Sequence, residues 1–185
     1  GEGHLALTKA KRADKYLDRP DLTTLLTAQA AEMTGDTRTA EASYRKLLGK
    51  EETRFVGVRG LMHQKLAIGD TDTALGLARK AFEIKPKHEE VQNTLLKLQA
   101  EKSDWSGARE TLGAKLKSGN LPRDVYKRRD AVLALSEAKD ILDEGQSMEA
   151  REAAIQANKL SPDLIPATVM AARAMISDNN GRGAS

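Results

Sequence analysis

The sequence repeats a turn signal with a period of 34 residues. Turn-forming residues recur at intervals of 34, 34, 34, 42 and 34, at Gly1, Gly35, Gly69, Ser103, Gly145 and Asn179. A small residue follows five positions after each of the first five turns, at Ala6, Ala40, Ala74, Ala108 and Ala150. A period of this length accommodates two helices, and such units bury a core only by stacking on their neighbours. The spacing therefore predicts a stack of helix pairs.

The residues at these turns are typical of helix ends. Gly35 and Gly69 stand where the first helix of a pair ends, because glycine adopts the left-handed conformation at little cost. Asp36, Asp70 and Asp104 come next, where a carboxylate can cap the free N–H groups of the following helix. Each repeat is therefore predicted to be an antiparallel pair, helix A followed by helix B.

Apolar residues after each turn recur at i, i+3, i+4 and i+7, the spacing of one helix face. No segment alternates with a period of two, so no sheet is predicted. We expect helices over 4–18, 21–34, 36–48, 53–68, 71–84, 88–102, 104–117, 123–143, 147–160 and 163–177. They form one predicted domain, 1–178, with partial first and last repeats and a flexible tail at 179–185.

This pattern of glycine, alanine and proline at fixed offsets resembles the tetratricopeptide repeat (TPR). The residues that carry the resemblance are Gly35, Ala40, Gly69, Ala74, Ala81, Pro86, Trp105, Ala108, Ala150 and Pro162. The resemblance implies an all-α fold, a right-handed α-solenoid of about ten helices. Trp105 is expected to anchor the packing between repeats. Ser103 replaces the turn glycine of the third repeat, and we expect a looser turn there.

Composition excludes several kinds of site. There is no cysteine, which excludes disulfides and thiolate metal sites. Aromatic residues make up 3% and the net charge is +3, which argues against a nucleic-acid partner. His88 lacks a second histidine four residues later, and no other catalytic or metal-binding constellation is present. We therefore expect a protein that is not an enzyme and holds no metal.

Polar residues one period apart are predicted to line the inner face of the A helices. The groove residues predicted in this way are Gln29, Arg59, His63, Asn93, Lys97, Lys139 and Arg173. Arg59 and His63 are four residues apart and share a helix face, as do Asn93 and Lys97. A guanidinium fork with ammonium and amide donors suits a carboxylate, from a peptide C-terminus, an acidic segment or a porphyrin. The alternative is a solvated face neutralised by Glu32, Glu90 and Glu101.

The interval of 42 residues contains eight extra residues, around Ser118–Pro122 and the start of the next helix. This segment concentrates positive charge at Arg123, Lys127, Arg128 and Arg129. One interpretation is a lengthened, solvated helix end. The other is a docking point for an acidic partner or for anionic lipid headgroups.

A more specific resemblance rests on the order of several short motifs. They are the run 52–61, Gly69-Asp70, Ala74 and Ala78, Pro86, Leu95, Leu98-Gln99, Asp104-Trp105, Ala108, Arg128-Arg129 and the run 160–167. In this order they resemble the HemY family of proteobacterial membrane proteins, over most of residues 1–175. The resemblance implies a soluble TPR region of an inner-membrane protein that is associated with haem biosynthesis, on the cytoplasmic face.

The uncharged runs of this chain are too short to span a membrane, the longest being the ten residues Leu22–Ala31. The chain begins at Gly1 without an initiator methionine, so we expect a piece of a longer protein whose N-terminal membrane helices are absent here. The resulting prediction is a non-catalytic TPR scaffold for protein partners, which by the resemblance include haem-biosynthesis enzymes. No resident cofactor is expected. The alternatives are a porphyrin or haem binding module, with His63 as a candidate axial ligand, and a generic TPR adaptor unrelated to haem.

Overall fold

The computed structural model describes residues 2–17, 19–144 and 147–163, and these residues contain nine α-helices and no strand. The helices are α1 Glu2–Leu17, α2 Pro20–Thr34, α3 Thr37–Leu47, α4 Glu51–Ala67, α5 Thr71–Ile84, α6 Glu89–Glu101, α7 Trp105–Lys117, α8 Arg123–Asp143 and α9 Ser147–Leu160. Nine of the predicted helices are thus confirmed. Almost all of the tenth, 163–177, and the whole predicted tail lie outside the described residues.

The chain divides into two compact units, Gly1–Pro86 and Lys87–Ser185. In the first unit, each helix from α1 to α5 packs on the next, so that α2 pairs with α3 and α4 with α5. In the second unit, α6 pairs with α7, α7 packs on α8, and α8 pairs with α9. Pro86 lies in the turn after α5 and Pro162 in the turn after α9. The single domain over 1–178 stays a prediction.

The turns within the helix pairs have the predicted left-handed geometry. Gly35 has φ 74° and Gly69 has φ 76°. At the first of these turns the N–H of Gly35 donates to Glu32 O and that of Asp36 to Ala31 O, at 3.1 and 2.9 Å. This double hydrogen bond is the Schellman motif, which satisfies carbonyls at the end of α2.

The third turn forms the same motif without glycine. Ser103 adopts φ 56°, and the N–H of Asp104 donates to Gln99 O at 2.9 Å. The expectation of a looser turn was therefore wrong. Hydrogen bonding and the packing of α6 on α7 hold the serine in a conformation that is unfavourable for a residue with a Cβ.

The predicted N-caps are confirmed at the three B helices α3, α5 and α7. The carboxylates of Asp36, Asp70 and Asp104 accept from the backbone N–H groups three residues later, at 3.1 Å in each case. Because these caps depend on residues near in sequence, the start of each B helix was predictable from local chemistry.

The predicted small residues pack where helices approach closely. Ala40, Ala74, Ala81 and Ala108 are fully buried. The side chain of Ala150 lies outside the described part of the chain. Alanine at the four described positions lets neighbouring helices pack with little space between them.

None of the helices in the described ranges is both long and apolar enough to cross a membrane.

Candidate functional site

Three of the predicted groove residues line one cleft in the first unit. Gln29 on α2 and Arg59 and His63 on α4 face a cavity of about 260 Å³. The remaining lining residues are Leu25, Glu32, Tyr44, Val56 and Gly60. Side chains one repeat apart on successive A helices therefore do meet in one cleft, as the period predicts.

The charge of this cleft is mixed rather than basic. Glu32 lies in the cleft with Arg59 and His63. Burial raises the pKa of the Tyr44 hydroxyl, and its hydrogen bond to Glu32 raises it further, while the nearby positive charge of Arg59 acts in the opposite direction. Glu32, one of the acidic residues that the alternative invokes, therefore lies in the same cleft as three of the predicted groove residues.

Tyr44 can occupy this position because two glycines of α4 leave room for it. A Cβ on Gly60 would overlap the Tyr44 ring, and one on Gly57 would lie 2.6 Å from the Tyr44 carbonyl oxygen. Both glycines stand inside a helix, where glycine is otherwise unfavourable. Sequence reasoning did not identify this role, although two glycines within four residues of a helix were a visible signal.

His63 also lines a second cavity of the first unit, of about 450 Å³. Its lining includes Glu41, whose carboxylate accepts a hydrogen bond of 2.7 Å from Arg45 and lies 3.8 Å from Lys65. The hydrogen bond from Arg45 lowers the pKa of Glu41, and the charge of Lys65 lowers it further. His63 thus lines two cavities that also contain acidic side chains.

Two more predicted groove residues line a cleft of the second unit. Asn93 and Lys97 on α6 face a cavity of about 370 Å³, together with Arg129 from the basic segment of α8. Its other lining residues are apolar: Leu96, Ala100, Leu112, Val132 and Leu133. Lys139 is exposed on α8 and does not line this cavity, and Arg173 lies outside the described residues.

A buried lysine supports the polar end of this second cleft. Lys115 on α7 is only 4% exposed, and its ammonium donates a hydrogen bond to the side-chain oxygen of Asn93. Burial lowers the pKa of Lys115, and the positive charge of Arg129 lowers it further, against the opposing effect of Glu89. Sequence reasoning assigned Lys115 no role. The signal was its position twelve residues after the turn, where other repeats have Leu47 and Ala81.

Lys97, at the edge of the second cleft, has a carboxylate neighbour on its own helix. Its ammonium lies 3.8 Å from Glu101, and both side chains are well exposed. A surface pair of this kind contributes little to stability. Lys97 therefore remains able to exchange Glu101 for a ligand.

The eight extra residues give α8 a length of 21 residues. Four basic residues are exposed on its first turns: Arg123, Lys127, Arg128 and Arg129. Solvent exposure agrees with the solvated interpretation, and it leaves the docking interpretation a prediction. The next residue, Asp130, is buried. Its carboxylate accepts hydrogen bonds of 2.7 and 3.3 Å from Arg109, whose pKa they raise.

Trp105 connects successive repeats, as predicted. Its side chain is partly buried at the start of α7, and its indole N–H donates to Asp140 on α8 at 2.7 Å. Because α8 begins the next helix pair, this hydrogen bond joins one repeat to the following one.

Within the described ranges, no three histidine, aspartate or glutamate side chains converge in a way that could hold a metal ion.

The comparisons with known proteins bear on the fold alone. No family model matches the chain, and no curated protein matches it. Two similar solved structures are TTC0263, described as a thermophilic TPR protein of Thermus thermophilus, and BtubC (BKLC) from P. vanneervenii. TTC0263 is 17% identical over 94% of this chain and 91% of that chain, with a TM-score of 0.42.

BtubC is 14% identical over 100% of this chain and 91% of its own, with a TM-score of 0.50. At this identity the likeness to BtubC shows a shared fold and nothing about function. Together with the helices and turns described above, it confirms an all-α fold built from helix pairs.

Proposed function

We propose that this chain is a non-catalytic scaffold that docks a segment of a partner protein in the polar cleft of its first unit. The observation that carries the proposal is the meeting of Gln29, Arg59 and His63, from two successive A helices, in one cleft. A repeat fold that presents such side chains at regular intervals offers an extended chain several points of attachment. Affinity then comes from several modest contacts along the partner chain.

The chemistry of the first unit's cleft favours a polypeptide. Arg59 offers paired donors for an acidic side chain, while Glu32 in the same cleft accepts hydrogen bonds. A polypeptide segment supplies both N–H donors and oxygen acceptors, so it can satisfy both. Two porphyrin propionates would place further negative charge beside Glu32.

The cellular setting follows from the resemblance to the HemY family. Under this proposal the chain is held at the inner membrane by helices outside the present sequence, on the cytoplasmic face. Its partners would be enzymes of haem biosynthesis. A generic adaptor outside haem metabolism would use the same cleft and differ in its partner alone.

The second candidate is a module that binds porphyrin or haem. One observation favours it: His63 lines two adjoining cavities of the first unit, with Arg59 beside it in one of them. An imidazole there could ligate haem iron while the guanidinium binds a propionate. The acidic groups Glu32 and Glu41 in the same cavities weigh against this candidate.

Selection from a random peptide display library tests the docking proposal. Selected peptides are measured by fluorescence anisotropy against the wild-type chain and Arg59→Glu, with Arg38→Glu as matched control on an exposed face of α3. We expect acidic sequences to be enriched and Arg59→Glu to weaken binding at least tenfold, while Arg38→Glu binds normally. Circular dichroism checks that each variant is folded.

The same proteins separate the two candidates when titrated with haem and free porphyrin, followed by absorbance. Saturable one-to-one binding that His63→Ala and Arg59→Glu both abolish would favour the porphyrin module. Peptides that bind Arg59→Glu and the wild type equally well would show that the first unit's cleft is not the docking site.

A further inference from the structure

The cleft of the second unit combines one polar end with a largely apolar body. Its volume of about 370 Å³ falls in the range of small-molecule sites, roughly 300–1,000 Å³. Asn93, Lys97 and Arg129 supply the polar end. Leu96, Leu112 and Leu133, from three different helices, form the apolar walls. Such a site matches a ligand with a polar head and an apolar chain.

The polar end holds more positive charge than its neighbours balance. Within the described ranges, neither Arg129 nor Lys115 has a carboxylate within salt-bridge distance. Glu89 is the acidic group whose charge reaches Lys115, while Arg129 acts on Lys115 as a like charge. An anion placed beside Asn93 would be attracted by both cations. The head group that fits is therefore negatively charged.

We propose that the second unit binds a small amphipathic carboxylate of the medium-chain fatty acid class. Its carboxylate would bind at Arg129, Asn93 and Lys97, and its hydrocarbon chain would lie along Leu96, Leu112 and Leu133. Arginine binds a carboxylate through two parallel hydrogen bonds, which fixes the head. The binding goes beyond the docking of a protein partner, and it does not depend on it.

The buried lysine gives this site a feature that an ordinary exposed cleft lacks. Lys115 is fixed by its hydrogen bond to Asn93, so the amide of Asn93 is held with its oxygen towards the ammonium and its NH₂ group available to a ligand. This orientation makes Asn93 a donor at the polar end. Lys115 is therefore a positioning residue, and it supports the head group without touching it.

Isothermal titration of the full chain with hexanoate, octanoate and decanoate, below their micelle concentrations, tests the proposal. We expect saturable one-to-one binding that tightens about fourfold for each methylene buried in the cleft. Decanol, which has the same chain without the charge, should bind at least tenfold more weakly than decanoate. Equal binding of decanol and decanoate, or no binding of any of the acids, would overturn the proposal.

Variants localise the site. Arg129→Gln should weaken decanoate binding at least tenfold, while Lys117→Gln, a matched loss of charge at an exposed position of α7, should leave it unchanged. Val132→Asp places a carboxylate in the cleft at a position that is 47% exposed, so the chain should fold and lose decanoate binding. Equal binding by Arg129→Gln and Lys117→Gln would contradict the assignment.

Failure of the fatty-acid proposal can be distinguished from failure of the docking proposal, because the two concern different units. Arg59→Glu alters the first unit and should leave decanoate binding intact, whereas it should weaken binding of selected peptides at least tenfold. Loss of decanoate binding in Arg59→Glu with retention in Arg129→Gln would place the ligand elsewhere and overturn the inference.

Discussion

The two units build the same helix pair with different packing chemistry. In the first unit, Tyr44 packs among alanines and leucines and lies over Gly60, so shape complementarity joins α3 to α4. In the second unit, buried polar groups connect α7 to its neighbours: Asp130 binds Arg109, and Thr111 donates to Gln99 at 2.7 Å. The turns and caps of the pairs α2–α3, α4–α5 and α6–α7 are nevertheless alike.

This difference shows which features of the repeat determine the fold and which determine the site. The helix ends depend on local residues, so they tolerate either kind of packing. The chemistry of each cleft depends on which side chains stay exposed after the helices have packed. Apolar packing leaves a cleft of mixed charge in the first unit, and polar packing places Lys115 behind a cationic cleft in the second.

The largest expected effect tests the polar packing of the second unit. Arg109→Met leaves Asp130 buried without its main partner, and we expect a loss of about 3 kcal/mol in the free energy of unfolding, measured with urea. Glu110→Gln, at an exposed position of the same helix, should change it by less than about 0.5 kcal/mol.

A double variant sharpens this test. Arg109→Met with Asp130→Leu removes both charges, and it should recover most of the lost stability because no buried charge remains unpaired. If the double variant is as unstable as Arg109→Met, the cost comes from packing and not from the broken ion pair.

A smaller effect tests the close approach in the first unit. Gly60→Ala puts a methyl group into the Tyr44 ring, and overpacking should exceed the gain in helix propensity, for a net loss of about 1–2 kcal/mol. Gly76→Ala is the matched control, because a Cβ there meets nothing within 4 Å. It should stabilise α5 by about 0.5–1 kcal/mol. The stabilities of both variants are measured by thermal unfolding. If Gly60→Ala is more stable than Gly76→Ala, the Tyr44 ring moves aside easily.

The equivalent turns of the two units can be compared by exchanging the residue with positive φ between them. Ser103→Gly should stabilise the chain by about 1 kcal/mol, because Ser103 has φ 56° and glycine is not strained there. Gly69→Ser, at the equivalent turn of the first unit, should destabilise it by a similar amount, since Gly69 has φ 76°. Urea unfolding of both variants checks the pair. Shifts of the same sign would mean that the two turns are not equivalent.

The fold was predictable from the sequence because its signals are local. Gly35 and Asp36 determine a helix end and a helix start through their own backbone and side chain, so the period and the residue types were sufficient. The meeting of Gln29 with His63 was predictable for a related reason, since equal repeats place equivalent residues side by side.

The site was less predictable because it depends on pairings between distant residues. Nothing near Lys115 in the sequence indicates that its ammonium reaches Asn93, 22 residues earlier. The requirement for Gly60 likewise appears only when the ring of Tyr44 lies against it. For Lys115 the available signal was a charged residue at a repeat position that is otherwise apolar, and for Gly60 it was a pair of glycines inside a helix.

The smallest expected effect concerns Lys115 and its dependence on pH. Its pKa is lowered in the folded chain, so between that lowered value and the ordinary lysine value of about 10.4 the unfolded chain binds more protons. Stability relative to Lys115→Met should therefore rise as the pH is raised through this window. Near neutral pH the methionine variant should be at least as stable as the wild type, because a buried charge is replaced by an apolar chain of similar volume. Urea unfolding of both proteins from pH 7 to pH 10 measures the difference. A difference that stays constant over this range would mean that Lys115 titrates alike in the folded and unfolded chains.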